Sequence, residues 1–412
     1  MTIDVDRQRL VREIEDLALI SDAEAPAVTR IVFSPTDLKA RAWLIARCEK
    51  AELEVRQDAI GNIFARWAGS DRHAPAVGTG SHIDAIPNAG KYDGVAGVLG
   101  GLEAIRSLQR TGFRPKHSIE LLMFTSEEPT RFGIGCLGSR LLSGTMSSEA
   151  AKKLLDKDGT SIEELRGTAG FTGALETVKL PGNYYKAFVE LHIEQGPVLE
   201  RKKVPLGIVT DIAAPASLRI TIEGSGGHAG GVLMSDRRDA LCAAAELVLA
   251  IETAARASGA VDTVATVGIC EVFPGAVNSI PSSVHLTLDI RDTDLARRDT
   301  VMHEINSATQ SVAVKRQVSI HEELVNADAP AHCAPAITET LSAACSKYRL
   351  PFIPMVSRAY HDSLFMSRIV PVGMLFIPCR NGYSHRPDEY ASPEDIERGV
   401  VVLAETLATL AA

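Results

Sequence analysis

The sequence predicts an α/β chain whose main domain is interrupted by a smaller β-α-β-β-α-β unit. Three observations carry this. Between Ala76 and about Glu127, two short apolar runs enclose a stretch in which apolar residues recur every third or fourth position. Between Ala214 and Glu323, strand and helix patterns follow one another in the split order of a ferredoxin-like unit. The length of 412 residues is more than one small core fills, so two domains are expected.

In chain order, the opening MTIDVDRQRLVREIEDLALI mixes charges with apolar residues at helical spacing. It lacks a basic start followed by an apolar core, so it reads as a helix and not as a signal peptide. Val77–Ser81 is a short apolar strand, and Val95, Val98, Leu99, Leu102 and Ile105 mark one face of a helix. Ile119–Thr125 (IELLMFT) is a continuous apolar run, the mark of a strand covered on both faces. ASLRITIEG then alternates like a half-buried strand, and RRDALCAAAELVLAIETAAR is a long amphipathic helix. TVATVGICEV and SVHLTLDIRD are strands, DLARRDTVMHEINSATQSV is helical, and KRQVSIHEEL is the last strand of the unit. After Ala331 the chain is expected to rejoin the first domain through a helix, a strand near Gly373–Pro378, a loop carrying His385 and a final helix. The expected domains are residues 1–213 with 330–412, and an inserted unit of residues 214–329.

Composition narrows the class. With 45% hydrophobic and 23% charged residues the chain is an ordinary globular protein, and its net charge of −9 argues against a nucleic-acid binder. No apolar run approaches the roughly 20 residues of a membrane helix, so no membrane partner is expected. The seven cysteines are scattered and form no C-x-x-C pair, which fits buried thiols in a reducing cytoplasm.

The chemistry concentrates where α/β enzymes place their sites, just after strand ends. His82 stands in GSHIDAI, Asp93 in GKYDGVAGV, Glu127 and Glu128 in FTSEEPTRF, His192 in VELHIEQGP and His385 in GYSHRPDEY. Imidazoles and carboxylates suit zinc, manganese, cobalt or nickel. Asp93 can bridge two divalent ions, with His82 and His192 completing one and Glu128 and His385 the other. Such a pair can share a water, lower its pKa and polarise a carbonyl. Asp84, two residues after His82, is positioned to accept that imidazole's other N–H. Each residue alone is weak, and the argument rests on their conjunction with the small and turn residues of GSH, GKYDG and GYSH. Glu127 and Glu128 are expected to end the strand, so that the pleat points them apart. Glu128 then faces the metal and Glu127 serves as general base, carrying a proton from water to the leaving nitrogen. The bland alternative pairs Glu127 with Arg131. His73, His117, His285 and His303 read as structural or solvated.

The motifs GSHIDAIPNAGKYDGVAGVLGGLEAI, FTSEEPTRFGIGCLGSR, LHIEQGPVLE, GSGGHAG and GYSHRPDEY resemble the hydantoinase/carbamoylase family of amidohydrolases, which are built like the dinuclear aminoacylases and metallo-exopeptidases. The resemblance runs from about residue 60 onward. It implies the same ligands and base, two divalent ions per subunit and a metallo-exopeptidase-like catalytic domain with an inserted lid that also forms a homodimer. It further implies that His228 reaches the partner's active site to stabilise the oxyanion with help from Asn278, and that Gln195 and Arg291 hold the substrate. An oxyanion donor of this kind contributes roughly 3–4 kcal/mol. Against these stand a salt bridge from Arg291 to Asp289 or Asp292, and a His228 that is only a loop residue.

Within the family, SEEPTRFGIGCLGSR, HAGGVLMSDRRDA and SRAYHDSLFMSRI look closest to the branch acting on ureidoglycolate. Tyr360 and His361 could then bind a small hydroxylated carboxylate, or merely pack the metal loop. The expected substrate is thus a ureido acid whose terminal amide is cut to ammonia and CO2. N-carbamoyl-L-amino acids or allantoate are the nearest alternatives, and acylated amino acids or peptides the next. A binding protein that has lost its chemistry is disfavoured because every ligand and the base are present.

Overall fold

The computed structural model describes residues 2–412 and divides into two compact units. The first holds the chain up to Thr210 together with His332–Ser357 and His361–Ala412. The second holds Asp211–Ala331 and Arg358–Tyr360. The short Arg358–Tyr360 segment thus groups with the second unit, where the sequence reading left it with the first. Its ties explain this: Arg358 pairs with Asp262, the Arg358 carbonyl accepts from Arg291, and the Tyr360 hydroxyl bonds Asp328.

The first unit is a mixed sheet with four parallel strands at its centre, in the order Val372–Ile377, Tyr185–Ile193, Ala76–His82, Ile119–Phe124. Ile63–Trp67 continues it antiparallel on one side, and Leu206–Ile212 on the other. Ala76–His82 and Ile119–Phe124 are buried along their whole length, as a sheet covered on both faces requires. On one face lies the helix Val95–Arg110, buried from Val95 to Leu108. Its Val98, Leu99 and Leu102 share a core with Val400, Leu403 and Leu407 of the helix Pro393–Ala411. On the other face Leu122, Phe124 and Phe188 pack with Leu137, Leu141 and Met366. The chain leaves Ala76–His82 for a strand on one side and later returns to a strand on the other. The carboxyl ends of the parallel strands therefore diverge around this switch point, which is where such sheets open a crevice.

The second unit is a four-stranded antiparallel sheet in the order Val264–Phe273, Ser283–Asp292, Ala214–Glu223, Ser319–Ala327. With the helices Ala240–Ala257 and Leu295–Arg316 the chain order is β-α-β-β-α-β, apart from a two-residue pair at Gly227–His228 and Ser279–Ile280. Ile220, Ile222, Leu286 and Leu288 meet Leu247, Ile251, Val301 and Ile305 in a separate core. One boundary differs from expectation. Lys315 and Arg316 are the last residues of the helix, not the start of a strand, because both side chains pair with Glu246 on the neighbouring helix. Basic residues are also favoured at a helix carboxyl end.

Five cysteines are buried as expected, whereas Cys242 and Cys270 are exposed on the outer side of a helix and an edge strand of the second unit. No helix among the described residues is long and apolar enough to cross a membrane.

Candidate metal centre

His82 closes its strand, and His192 is the last residue but one of Tyr185–Ile193, so adjacent strands deliver two buried imidazoles to the crevice. Asp93 sits one residue before Gly94, which caps the Val95–Arg110 helix at φ +63°. A Cβ on Gly94 would lie 2.4 Å from the His82 ring, so both backbone and space demand glycine. Asp93 Oδ1 is 3.5 Å from His82 Nε2 and 3.2 Å from His192 Nε2. Its Oδ2 is 3.4 Å from His385 Nε2, which is 3.3 Å from Glu128 Oε1. One carboxylate thus faces two donor groups with its two oxygens: His82 with His192, and Glu128 with His385.

The donor set fits divalent metal. His82 Nδ1 is 3.1 Å from the Asp84 carbonyl oxygen, and His192 Nδ1 is 2.9 Å from that of Ile193. With Nδ1–H donated in each neutral ring, Nε2 is left as a lone pair near an Asp93 oxygen, and that of His192 also accepts from Gly94 N at 3.1 Å. Nε2 and the carboxylate oxygen are then both acceptors, a conflict that a proton or a metal cation between them resolves. Asp84 contributes its carbonyl here and not the carboxylate expected from the sequence, whose Oδ1 is 3.7 Å from His82 Nδ1. The carboxylate oxygens are taken instead by the backbone N–H groups of Glu127 and Glu128, at 3.2 and 3.0 Å.

Electrostatics point the same way. Burial raises Glu127 well above the usual carboxylate range, and burial with Asp93 beside it lifts Glu128 to about 7. Burial also acts to raise Asp93, but the imidazoles around it hold it well below that range. Burial opposes a charged His82, yet Glu127, Asp93 and Asp84 push it well up. Hydrogen bonding to Asp93, despite burial, brings His385 to about 9. A buried cluster that draws protons to itself is one short of positive charge, the condition a divalent ion relieves.

Glu127 and Glu128 follow the strand instead of ending it. The strand stops at Phe124, and Ser126 turns through φ +57°, so loop geometry, not the pleat, separates the two carboxylates. Three consecutive N–H groups, of Cys136, Leu137 and Gly138, donate to the carbonyls of Glu127, Ser126 and Thr125 at 2.7, 2.9 and 2.8 Å. Asn62 Oδ1 accepts from Thr125 N at 2.8 Å, adding a side-chain anchor. Glu127 Oε2 lies 3.6 Å from His82 Nε2, at the edge of the ligand cluster. Arg131 is not its partner and donates to the Val32 carbonyl at 2.7 Å.

Several supporting residues escaped the sequence reading. Glu389 Oε1 accepts from the N–H groups of Tyr92 and Asp93 at 2.8 and 3.1 Å, which pins Asp93 from behind. Gly90 makes room for it, since a Cβ there would fall 2.4 Å from the Glu389 carboxyl. Ser384 Oγ reaches both Asp93 Oδ2 (2.5 Å) and Glu389 Oε2 (3.0 Å). Burial and the Asp93 charge lift Glu389 to about 7. Glu190, buried behind His192, accepts from Ser81 Oγ and Ser363 Oγ at 2.7 and 2.6 Å. Asp362 accepts from Ser139 Oγ at 2.5 Å, and burial raises its carboxyl well above the usual range. The only sequence signal for Glu389 was its place in the HRPDEY run.

Of the expected substrate contacts, Gln195 adopts φ +54° and donates to Asp93 Oδ2 at 2.7 Å, so it borders the ligand cluster. The buried His361 ring stands 4.5 Å from that of His192. The other three, Asn278, Arg291 and Tyr360, and the expected oxyanion donor His228 belong to the second unit. There His228 and Asn278 are brought together, with Ala229 N donating to the Asn278 carbonyl at 2.8 Å. The exposed His228 ring accepts from Gly230 N through Nδ1 at 3.1 Å. Arg291 forks onto Asp289, at 2.7 and 3.4 Å, as the salt-bridge alternative had it. The Tyr360 hydroxyl is engaged by Asp328.

Comparison with known proteins adds four findings. The family model described as peptidase family M20/M25/M40 matches residues 78–409. A ureidoglycolate hydrolase of Arabidopsis thaliana is 51% identical over 99% of this chain and 87% of its own length. An N-carbamoyl-L-amino-acid amidohydrolase of a Pseudomonas species is 37% identical over 98% of this chain and 99% of its own. Among solved structures, AtUAH in complex with glyoxylate superposes with a TM-score of 0.91 at 51% identity, covering 100% of this chain and 99% of that one.

Proposed function

The chain belongs to peptidase family M20/M25/M40, and from that premise we propose that it hydrolyses the terminal amide of ureidoglycolate, releasing ammonia and CO2. The observation that carries the reaction class is the Asp93 carboxylate, which turns one oxygen to each of two donor groups with Glu127 beside them. The choice of ureidoglycolate rests on 51% identity to a ureidoglycolate hydrolase, against 37% to a carbamoyl-amino-acid hydrolase, each over nearly the whole chain.

In this reading His82, His192 and Asp93 hold one divalent ion, and Asp93, Glu128 and His385 a second, manganese or zinc being the first candidates. The pair supplies Lewis acidity, polarising the ureido carbonyl and making water acidic enough to lose a proton near neutral pH. Glu127 accepts that proton as the water oxygen bonds to the ureido carbon. It then returns it to the terminal nitrogen, whose bond to carbon breaks and which leaves as ammonia. The carbamate left behind loses CO2, and the remaining hydroxyglycine decays to glyoxylate and a second ammonia. His228 and Asn278 are assigned to the developing oxyanion. Gln195, Tyr360, His361 and an Arg291 released from Asp289 are assigned to the substrate, the guanidinium matching its carboxylate.

The second unit is proposed as a lid and dimerisation element. Its two edge strands expose Val264, Ile269, Phe273, Leu324 and Val325, apolar surface suited to a second copy of the chain. Sedimentation should then give a dimer, and a fully active monomer would overturn the donation of His228 between subunits.

The test of substrate is ammonia release by manganese-loaded enzyme from ureidoglycolate, allantoate, several N-carbamoyl-L-amino acids and one N-acetyl amino acid assayed for its free product. Ureidoglycolate should have the highest kcat/KM. A carbamoyl amino acid in first place would keep the mechanism and replace the substrate.

A further inference from the structure

The Glu127 backbone is held at both ends, by Asp84 on its N–H and by Cys136 N–H on its carbonyl, yet its carboxylate could still rotate. Cys136 supplies the missing constraint. Its thiol lies 3.4 Å from Glu127 Oε1, on the side away from His82, and the cysteine is fully buried. Burial and the nearby Glu127 charge raise its pKa, so the group is a thiol with a hydrogen to give. Cys136 is itself fixed. It stands at φ +57° ahead of the helix Leu137–Ser143, and its carbonyl accepts from Ser139 Oγ at 3.1 Å and Arg140 N at 2.8 Å. Ser139 in turn is anchored on Asp362.

We propose that Cys136 is a positioning residue for the base: its S–H holds Glu127 Oε1, so that Oε2 is presented to the reacting water. The inference rests on the assignment of Glu127 as base. A cysteine that merely filled space would be replaceable by alanine at little cost to turnover. A donor would not, and the conformation at φ +57° strains Cys, Ser and Ala alike, so that series isolates the donor.

Two measurements decide it. Cys136→Ala should keep its metal content and KM while kcat falls roughly three- to tenfold, the scale of a weak donor lost from a charged acceptor. Cys136→Ser, which keeps a donor, should recover most of that loss. Independently of activity, the infrared S–H stretching band that shifts between wild type and Glu127→Ala should report one hydrogen-bonded thiol moving to higher frequency. That comparison needs no cysteine variant to fold. Wild-type kcat in Cys136→Ala, or no thiol band shifting when Glu127 is removed, overturns the proposal. Normal turnover in Glu127→Gln would instead overturn the base assignment, whatever the thiol band does.

Discussion

Asp93 concentrates three jobs in one residue: its carboxylate faces both donor groups and accepts from Gln195 and Ser384, and its backbone N–H donates to Glu389. Replacing it by alanine should abolish binding of both ions, whereas His385→Ala and His82→Ala should each weaken mainly one. Metal analysis after desalting distinguishes these, and an Asp93→Ala protein that keeps two ions would remove the bridging role. Glu127→Gln should retain both ions and lose roughly 10²- to 10⁴-fold in kcat, the usual contribution of a general base. The clustering of these side chains was legible in the sequence because imidazoles and carboxylates stood among small residues near strand ends, where little else explains them. Glu389 and Asp362 were not, since a carboxylate that only receives hydrogen bonds leaves no pattern along the chain. Asp84 was found for a partly wrong reason: the sequence shows that it is near His82 but not which of its oxygens serves the ring.

Strands and helices were readable where apolar periodicity governs them. Ser283–Asp292 falls where its alternation ends, and the buried strands Ala76–His82 and Ile119–Phe124 match their apolar runs to within a residue or so. The segment from Thr125 to Gly138 was misjudged because its shape is set by bonds between backbone groups ten or so residues apart. Those bonds carry no side-chain signature. Loop and helix start meet again at Gly94, where Gly94→Ala should cost about 1–3 kcal/mol from the positive-φ backbone alone. The added methyl must also displace His82. The variant should therefore show both a lower melting temperature and weaker metal binding. A change in melting temperature without a change in metal affinity would mean that the His82 ring moves aside freely. Buried Arg30 offers a second test, since it donates to the carbonyls of Leu17, Ile20 and Ile83 at 2.6–3.0 Å. Arg30→Met strands those acceptors and should destabilise the first unit by roughly 3 kcal/mol or more, measurable by urea unfolding.

For the molecule as a whole, the proposed function has metal and protons competing for one site. Without metal, His385 has a folded pKa raised from 6.5 to about 9, so the stability it lends is present below pH 6.5 and lost as pH rises through 9. Glu128, raised from 4.5 to about 7, favours its protonated form, and its contribution likewise falls as pH climbs through that range. The chelated protein should therefore lose stability from about pH 5 to 9, while the gap in melting temperature between loaded and stripped protein widens. A constant gap across that window would contradict the shared site. The order in which the site's parts appear along the chain has its own consequence. His82 and Asp93 come early, but the carboxylate that grips the Asp93 N–H belongs to Glu389, 296 residues later. On a ribosome His82 and Asp93 emerge long before the group that fixes Asp93. Completion of the cluster must wait for the last strand and its loop, so on the proposed function an unfinished chain meets the cell's metal pool without a finished trap for it.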